Sequence, residues 1–133
     1  AVGASDGEAS FQLMPESSMG KLSDSSFQPS ESGVREITIP LRSLDHFFSN
    51  RDSQPQMMKI DVEGAEADVL RGASELISKE RPRLLIEIHS RSLAQECGGI
   101  LRGWDYEVQV LETKRPPDGR TEPEVCHFIA LPT

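Results

Sequence analysis

The side chains best suited to chemistry in this sequence cluster around one short turn. Asp61, Glu63 and Glu66 follow a short apolar run that begins at Met57. After Gly64, apolar residues recur at spacings of three and four, which is typical of a helix with one buried face. The sequence therefore predicts a strand that enters a helix through an acidic turn. Open α/β sheets bind their ligands at such carboxyl ends of strands.

The acidic turn also has a simpler explanation. Acidic side chains in the first turn of a helix interact favourably with the helix dipole. That explanation accounts for Glu63 or Glu66 better than for Asp61, because Asp61 lies further from the predicted helix. Asp61 is therefore the stronger candidate for binding a ligand.

A second pair of candidate functional residues, Glu87 and His89, lies at the end of the apolar run at 84–89. The near-continuous apolar character of this run predicts a strand that is covered on both faces. A buried carboxylate must be paired or protonated, so Glu87 either lines a pocket or pairs with a cation such as Lys59. His89 is either a hydrogen-bonded structural residue or a group that contacts substrate and exchanges protons.

Metal binding is an alternative use of the same carboxylates. Asp61, Glu63 and Glu87 are able to hold a divalent cation through oxygen ligands. The sequence offers no ligand spacing that demands such an ion, so we expect no metal site. The two other histidines, His46 and His127, are expected to be structural or exposed.

Regular elements must position these residues. The helix that starts near Ala65 ends before Pro82, which cannot continue it. A strand, a helix and a strand at this spacing form a right-handed parallel crossover. Upstream, alternating patterns predict strands at 9–14 and 34–40 that pair antiparallel, with a surface loop at 15–33 between them.

A short helix is expected between these upstream strands and the acidic turn. Ser43 is a suitable N-cap for a helix that runs through Asn50. Its apolar side chains are expected to face inward: Leu44, Phe47 and Phe48.

Length, charge and cysteine content restrict the classes of protein. A chain of 133 residues predicts one domain. The net charge of -8 argues against a nucleic-acid partner, because phosphate binding needs clustered Lys and Arg. No apolar run approaches the roughly 20 residues of a membrane-spanning helix, and no signal peptide is evident. Cys97 and Cys126 lack any metal-ligand spacing, so we expect two reduced thiols in a cytoplasmic protein.

Three consecutive segments carry a family resemblance: KIDVEGAE at 59–66, VLRGA at 69–73 and RPRLLIEIH at 81–89. In this order they resemble the FkbM-type S-adenosylmethionine-dependent methyltransferases. The stretches LRSLD at 41–45 and AVGASDGEASF at 1–11 fit the same pattern.

The resemblance implies an α/β chain with a Rossmann-like methyltransferase fold, whose mostly parallel sheet of seven strands ends in an antiparallel hairpin. Alternating residues at 106–111 and 125–131 independently predict two final strands that agree with this hairpin. The implied reaction moves a methyl group from S-adenosyl-L-methionine to an oxygen or similar acceptor on a small molecule or sugar.

Roles for individual residues follow from this resemblance. By position, Asp61 lies where the methyl donor meets the acceptor, and Glu63 lies beside it, so both are candidate cofactor-binding residues. Asp61 and His89 are the candidate catalytic residues, because a base helps when the acceptor is a hydroxyl. Glu63, Glu87 and His89 are the candidate substrate-binding residues.

The sequence also departs from the family. The glycine-rich first strand, resembling DVGANxG, and the acidic residue that ends the second strand are missing from these 133 residues. Because those segments hold the methionine part and the ribose of the cofactor, we expect a truncated domain with an incomplete cofactor site. The alternative to an enzyme is a non-catalytic remnant of the fold that acts as a binding or oligomerisation module.

The predicted organisation is one partial domain. Residues 1–54 hold a β-hairpin, a loop and a short helix, and residues 55–133 hold the αβ core with the final hairpin. In the family fold the missing strands lie beside the strand at 57–62, and an exposed apolar strand edge invites pairing. We expect either the strands around Phe11 and Ile37 or a second copy of the chain to cover this edge, the latter forming a homodimer.

Overall fold

The computed structural model describes residues 1–13, 20–23, 35–114 and 125–133. Its strands, in chain order, are β1 Gly7–Leu13, β2 Gly20–Leu22, β3 Arg35–Leu41, β4 Met57–Ile60, β5 Arg83–Ile88, β6 Tyr106–Lys114 and β7 Val125–Pro132. Its helices are α1 Leu44–Phe48, α2 Glu66–Arg71, α3 Ser74–Glu80 and α4 Arg91–Gly103.

Three strands form a small antiparallel sheet in the order β2-β1-β3. Phe11 lies opposite Ile37 in this sheet, so the predicted pairing of the two upstream strands is confirmed. β2 falls inside the segment that was predicted to be a surface loop, so that prediction is wrong at Gly20–Leu22. The remainder of that loop lies outside the described residues.

The other sheet has four strands in the order β4-β5-β7-β6. β4 and β5 are parallel, as the predicted crossover requires, whereas β7 pairs antiparallel with both β5 and β6. The predicted final hairpin is therefore confirmed, but the prediction of a mostly parallel sheet is wrong for the described residues. The reason is that the last strand returns between β5 and β6 and contributes two antiparallel pairs.

One face of this sheet carries the hydrophobic core. Helices α2 and α4 contact β5 on this side. The inward-facing side chains on β4, β5 and β7 are almost completely buried: Ile60, Leu84, Ile86, Ile88, Phe128 and Ala130. Leu85 and Glu87 point to the opposite face and are half-buried. The expectation of a strand covered on both faces is therefore wrong for the described part of the chain.

The helix predicted from Ala65 onwards is divided into α2 and α3. The break lies at Gly72, where a β-carbon would stand 2.0 Å from the backbone oxygen of Gly3. Asp45 of α1 accepts hydrogen bonds from the backbone N–H groups of Glu75 and Leu76 and so caps α3. The predicted end before Pro82 is confirmed, because α3 ends at Glu80.

Helix α1 begins where its capping residue predicts. Ser43 Oγ accepts a hydrogen bond from the backbone N–H of His46, at 3.2 Å. The helix ends at Phe48 rather than at Asn50. Phe47 is 47% exposed, so its predicted inward orientation is wrong, and the guanidinium of Arg51 covers its ring instead.

The outer edge of β4 is unpaired among the described residues. β4 lies at the end of its sheet and pairs with β5, while Met57 is 61% exposed. The expectation that the strands around Phe11 and Ile37 cover this edge is wrong, because they form the separate small sheet. Coverage by a second copy stays a prediction.

Two further predictions concern the cysteines and the membrane. Cys97 and Cys126 are not joined in a disulfide, which agrees with the prediction of two reduced thiols, and both side chains are buried. Burial raises the pKa of the Cys97 thiol to about 12. Within the described ranges, no helix is both long and apolar enough to cross a membrane.

Candidate functional site

A tight turn joins the end of β4 to the start of α2. Glu63 and Gly64 both have positive φ, at 52° and 100°, a backbone conformation that favours glycine. The backbone N–H of Gly64 donates a hydrogen bond of 2.9 Å to Oε1 of Glu66. A residue in the first turn of the helix thus fixes the turn that precedes it.

The same oxygen of Glu66 also contacts His89. Nδ1 of His89 lies 2.7 Å from Oε1 of Glu66, and the two side chains are 4% and 0% exposed. A carboxylate is an acceptor, so this contact places the Nδ1 proton between the two residues. Nε2 is then the atom of His89 that faces the rest of the site.

Three more carboxylates surround Nε2 of His89. It lies 3.4 Å from Oε2 of Glu63, 3.9 Å from Oδ1 of Asp61 and 4.0 Å from Oε1 of Glu87. The four residues predicted for the site therefore lie together. They meet because β4 and β5 are parallel neighbours, with Ile60 opposite Ile86, so that both strands end at the same edge.

Two basic side chains, Lys59 and His127, lie beside this cluster. Nζ of Lys59 contacts Oδ2 of Asp61 at 2.7 Å, so of the two alternatives for Glu87, pairing with Lys59 gives way to a contact between Lys59 and Asp61. Nε2 of His127 lies 3.3 Å from Oε2 of Glu87, which stands opposite it across β5 and β7. His127, expected to be structural or exposed, therefore borders the site.

The charges in the cluster alter proton affinities. Burial lowers the pKa of His89, but the hydrogen bond to Glu66 and the charges of Glu66, Glu63 and Glu87 outweigh burial, so its pKa is raised. Burial raises the pKa of Glu63, and the charge of Asp61 adds to that effect. The partly exposed carboxylates of Asp61 and Glu63 suit the binding of cations and of hydroxyl groups, and an imidazole with a raised pKa suits the uptake of a proton.

Two participants were missed or undervalued by sequence reasoning. Glu66 was explained by the helix dipole, yet it holds both the turn and His89. Its signal in the sequence was its position two residues after Gly64. His127 had no local signal, because it reaches Glu87 through strand register.

An apolar groove lies along β4 and α1. It has a volume of about 400 Å³. Its lining consists of Val2, Leu44, Phe47, Phe48, Pro55, Met57, Met58, Lys59, Ile60, Val62 and Val69. Because the groove includes Val62, it extends to the residue that follows Asp61.

Comparisons with known proteins identify one family model and one similar structure. The family model described as the methyltransferase FkbM domain matches residues 1–116. The structure is similar to the crystal structure of methyltransferase FkbM from Methylobacillus flagellatus KT, with a TM-score of 0.53 and 21% sequence identity. That match covers 97% of this chain and 26% of the other, so this chain spans about a quarter of its length. No curated protein matches the chain.

Proposed function

Because the chain belongs to the FkbM methyltransferase domain family, we propose that it takes part in S-adenosyl-L-methionine-dependent methyl transfer. The proposed acceptor is an oxygen atom of a small molecule or sugar. The observation that carries the proposal is the meeting of Asp61, Glu63, Glu87 and His89 at the carboxyl ends of two adjacent parallel strands. Ligands of α/β sheets bind at such a position.

The electrostatics of the site fit the proposed methyl donor. S-adenosyl-L-methionine carries a positive sulfonium and supplies an activated methyl group when it is bound. Asp61 and Glu63 would hold this cofactor. Their side chains are 35% and 39% exposed, so their carboxylates can attract a cation from solution. The apolar groove that reaches Val62 offers adjoining space for a less polar part of a ligand.

The same carboxylates suit an acceptor that bears hydroxyl groups. Glu63 and Glu87 are half-buried and can accept hydrogen bonds from such groups. The reacting hydroxyl must lose its proton, and the proposed catalytic residues for this step are Asp61 and His89. Nε2 of His89 accepts the hydrogen bond of the hydroxyl and takes up its proton. Glu66 stabilises the resulting imidazolium at Nδ1, and the carboxylate of Asp61, 3.9 Å from Nε2, adds to that stabilisation.

Titration of S-adenosyl-L-methionine, whose sulfonium is positive, into the chain, followed by calorimetry, tests the proposal. We expect binding in the micromolar range, about -8 kcal/mol, and at least roughly tenfold weaker binding for Asp61→Asn because a carboxylate charge is lost. Asp52→Asn is the matched control, since Asp52 is an exposed aspartate in the loop before β4. A chain that is folded by circular dichroism but releases no heat would contradict the proposal.

The exposed edge of β4 favours a second candidate function, a binding or oligomerisation module. In this case a second copy of the chain pairs with β4, because among the described residues this edge strand has no neighbour on its outer side and lies beside an apolar groove. Light scattering after size exclusion should then show a dimer, and Met57→Lys should shift it towards the monomer. A strict monomer at high concentration would eliminate this candidate.

A further inference from the structure

We propose that Asp61, Glu87 and His89 form a binding site for a divalent transition-metal ion. Each residue offers one ligand atom, and the three atoms lie within 4.8 Å of one another. Nε2 of His89 is 3.9 Å from Oδ1 of Asp61 and 4.0 Å from Oε1 of Glu87. The sequence offered Asp61, Glu63 and Glu87 as an alternative ligand set, whereas the structure groups Asp61 and Glu87 with His89.

The spacing of the three atoms is close to what an ion requires. Divalent ions bind oxygen and nitrogen ligands at about 2.0–2.3 Å, so neighbouring ligand atoms are roughly 3–4 Å apart. Small side-chain rotations bring the three atoms to that range. Two carboxylates and one imidazole, with further positions open, are a donor set suited to a first-row transition ion such as Mn²⁺.

Glu66 provides an independent argument for a metal at Nε2. Histidines that bind metals usually donate their other ring N–H to a carboxylate, which fixes the tautomer and makes the ligand more basic. The contact between Nδ1 of His89 and Oε1 of Glu66 has this arrangement, and Glu66 is fully buried. The second oxygen of Glu66, Oε2, is buried without a hydrogen-bond partner among the described residues. A cation on the imidazole would offset this buried negative charge.

Charge balance points in the same direction. Asp61, Glu63, Glu66 and Glu87 surround His89. The ammonium of Lys59 pairs with this group through Oδ2 of Asp61, and the imidazole of His127 lies beside Glu87. Oδ1 of Asp61 faces His89 and remains in position to bind the ion. A divalent ion would reduce the mutual repulsion of these carboxylates.

The inference rests on side-chain geometry and stands independently of methyl transfer. Metal binding is measured without cofactor or acceptor, so failure of the metal site and failure of the proposed reaction are distinguishable.

Titration of the full chain with MnCl₂, followed by electron paramagnetic resonance, tests the site. Free Mn²⁺ gives a six-line spectrum that weakens when the ion is bound, and we expect saturation at one ion per chain. Glu87→Gln and Asp61→Asn should each raise the dissociation constant roughly tenfold or more, as expected when a metal site is perturbed. Both side chains are partly exposed, so circular dichroism should show that the variants fold.

Glu107→Gln is the matched control, because it removes the same charge from an exposed position on β6 of the same sheet. It should bind Mn²⁺ like the unaltered chain. The proposal is overturned if the unaltered chain leaves the six-line spectrum undiminished. It is equally overturned if the two ligand variants bind Mn²⁺ as tightly as the Glu107→Gln control.

Discussion

Glu66 and His89 form a buried hydrogen-bonded pair, with 2.7 Å between Oε1 and Nδ1. This pair joins the first turn of α2 to the residue that follows β5. The same oxygen of Glu66 accepts the backbone N–H of Gly64 at 2.9 Å. One carboxylate therefore holds both the turn that carries Glu63 and the imidazole that Glu63 faces.

Replacement of Glu66 should separate its role as an acceptor from simple packing. Glu66→Ala leaves the N–H groups of Gly64 and His89 buried without this acceptor, so we expect a loss of about 2–4 kcal/mol in the free energy of unfolding. Glu66→Gln should lose clearly less, because its amide oxygen still accepts a hydrogen bond. Urea denaturation measures the free energy of unfolding of both variants. Equal losses would show that the hydrogen bonds accepted by this oxygen do not account for the stabilisation.

Because the core covers one face of the sheet, the two adjacent leucines of β5 should contribute unequally to the free energy of unfolding. Leu84 is 1% exposed and faces α2 and α4, whereas Leu85 lies half-buried on the opposite face. Leu84→Ala should lower the free energy of unfolding by about 2–5 kcal/mol, and Leu85→Ala by roughly half of that or less. Urea denaturation of the two variants provides the comparison. Equal losses would mean that something covers the second face in solution.

Gly72 should not tolerate a side chain. An added β-carbon would stand 2.0 Å from the backbone oxygen of Gly3, so Gly72→Ala must displace the first residues of the chain. We expect a loss of about 1–3 kcal/mol in thermal or urea unfolding. Gly99→Ala in α4 is the control, because a β-carbon there meets nothing within 4 Å. It should stabilise the chain by roughly 0.5–1 kcal/mol, and a loss there comparable to that of Gly72→Ala would refute the explanation.

Asp6 should make stability depend on acid pH. The backbone N–H of Ser43 and the guanidinium of Arg42 hold the pKa of Asp6 well below its usual range. A lowered pKa in the folded state stabilises the fold at pH values above the unfolded pKa of about 3.9. That contribution is lost as the pH falls below this value towards the folded pKa.

Asp6→Asn should therefore lower the urea midpoint near neutral pH, and its difference from the unaltered chain should shrink as the pH falls below about 4. Asp52→Asn changes the same charge at an exposed loop position and should show little difference at any pH. A deficit of Asp6→Asn that persists unchanged in acid would contradict the role of the ionised carboxylate.

Local sequence patterns predicted the elements whose energetics are local. Ser43 predicted the start of α1, because an N-cap acts within three residues of itself. Pro82 predicted the end of α3, since proline cannot continue a helix. The segment around Asp61 predicted both the acidic turn and the family, because its residue types and order are specific.

The same patterns failed where a partner distant in sequence decides the outcome. Apolar residues on both faces of β5 suggested two covering layers, but the face of Leu85 is half-buried. The helical period ran through Gly72, yet contact with Gly3 accompanies a break there. The periodicity of apolar residues indicates that one face of an element is apolar. It does not indicate which other element covers that face.

The sequence by itself determined the crossover unit, the acidic turn, the final hairpin and membership of the FkbM methyltransferase domain family. Each of these depends on short segments read in order. Only the tertiary structure decided that β7 lies between β5 and β6, and that His89 meets Glu66. Strand order and buried side-chain pairs depend on contacts between residues far apart in the chain. Many alternative pairings satisfy the same local preferences, so packing of the whole domain selects among them.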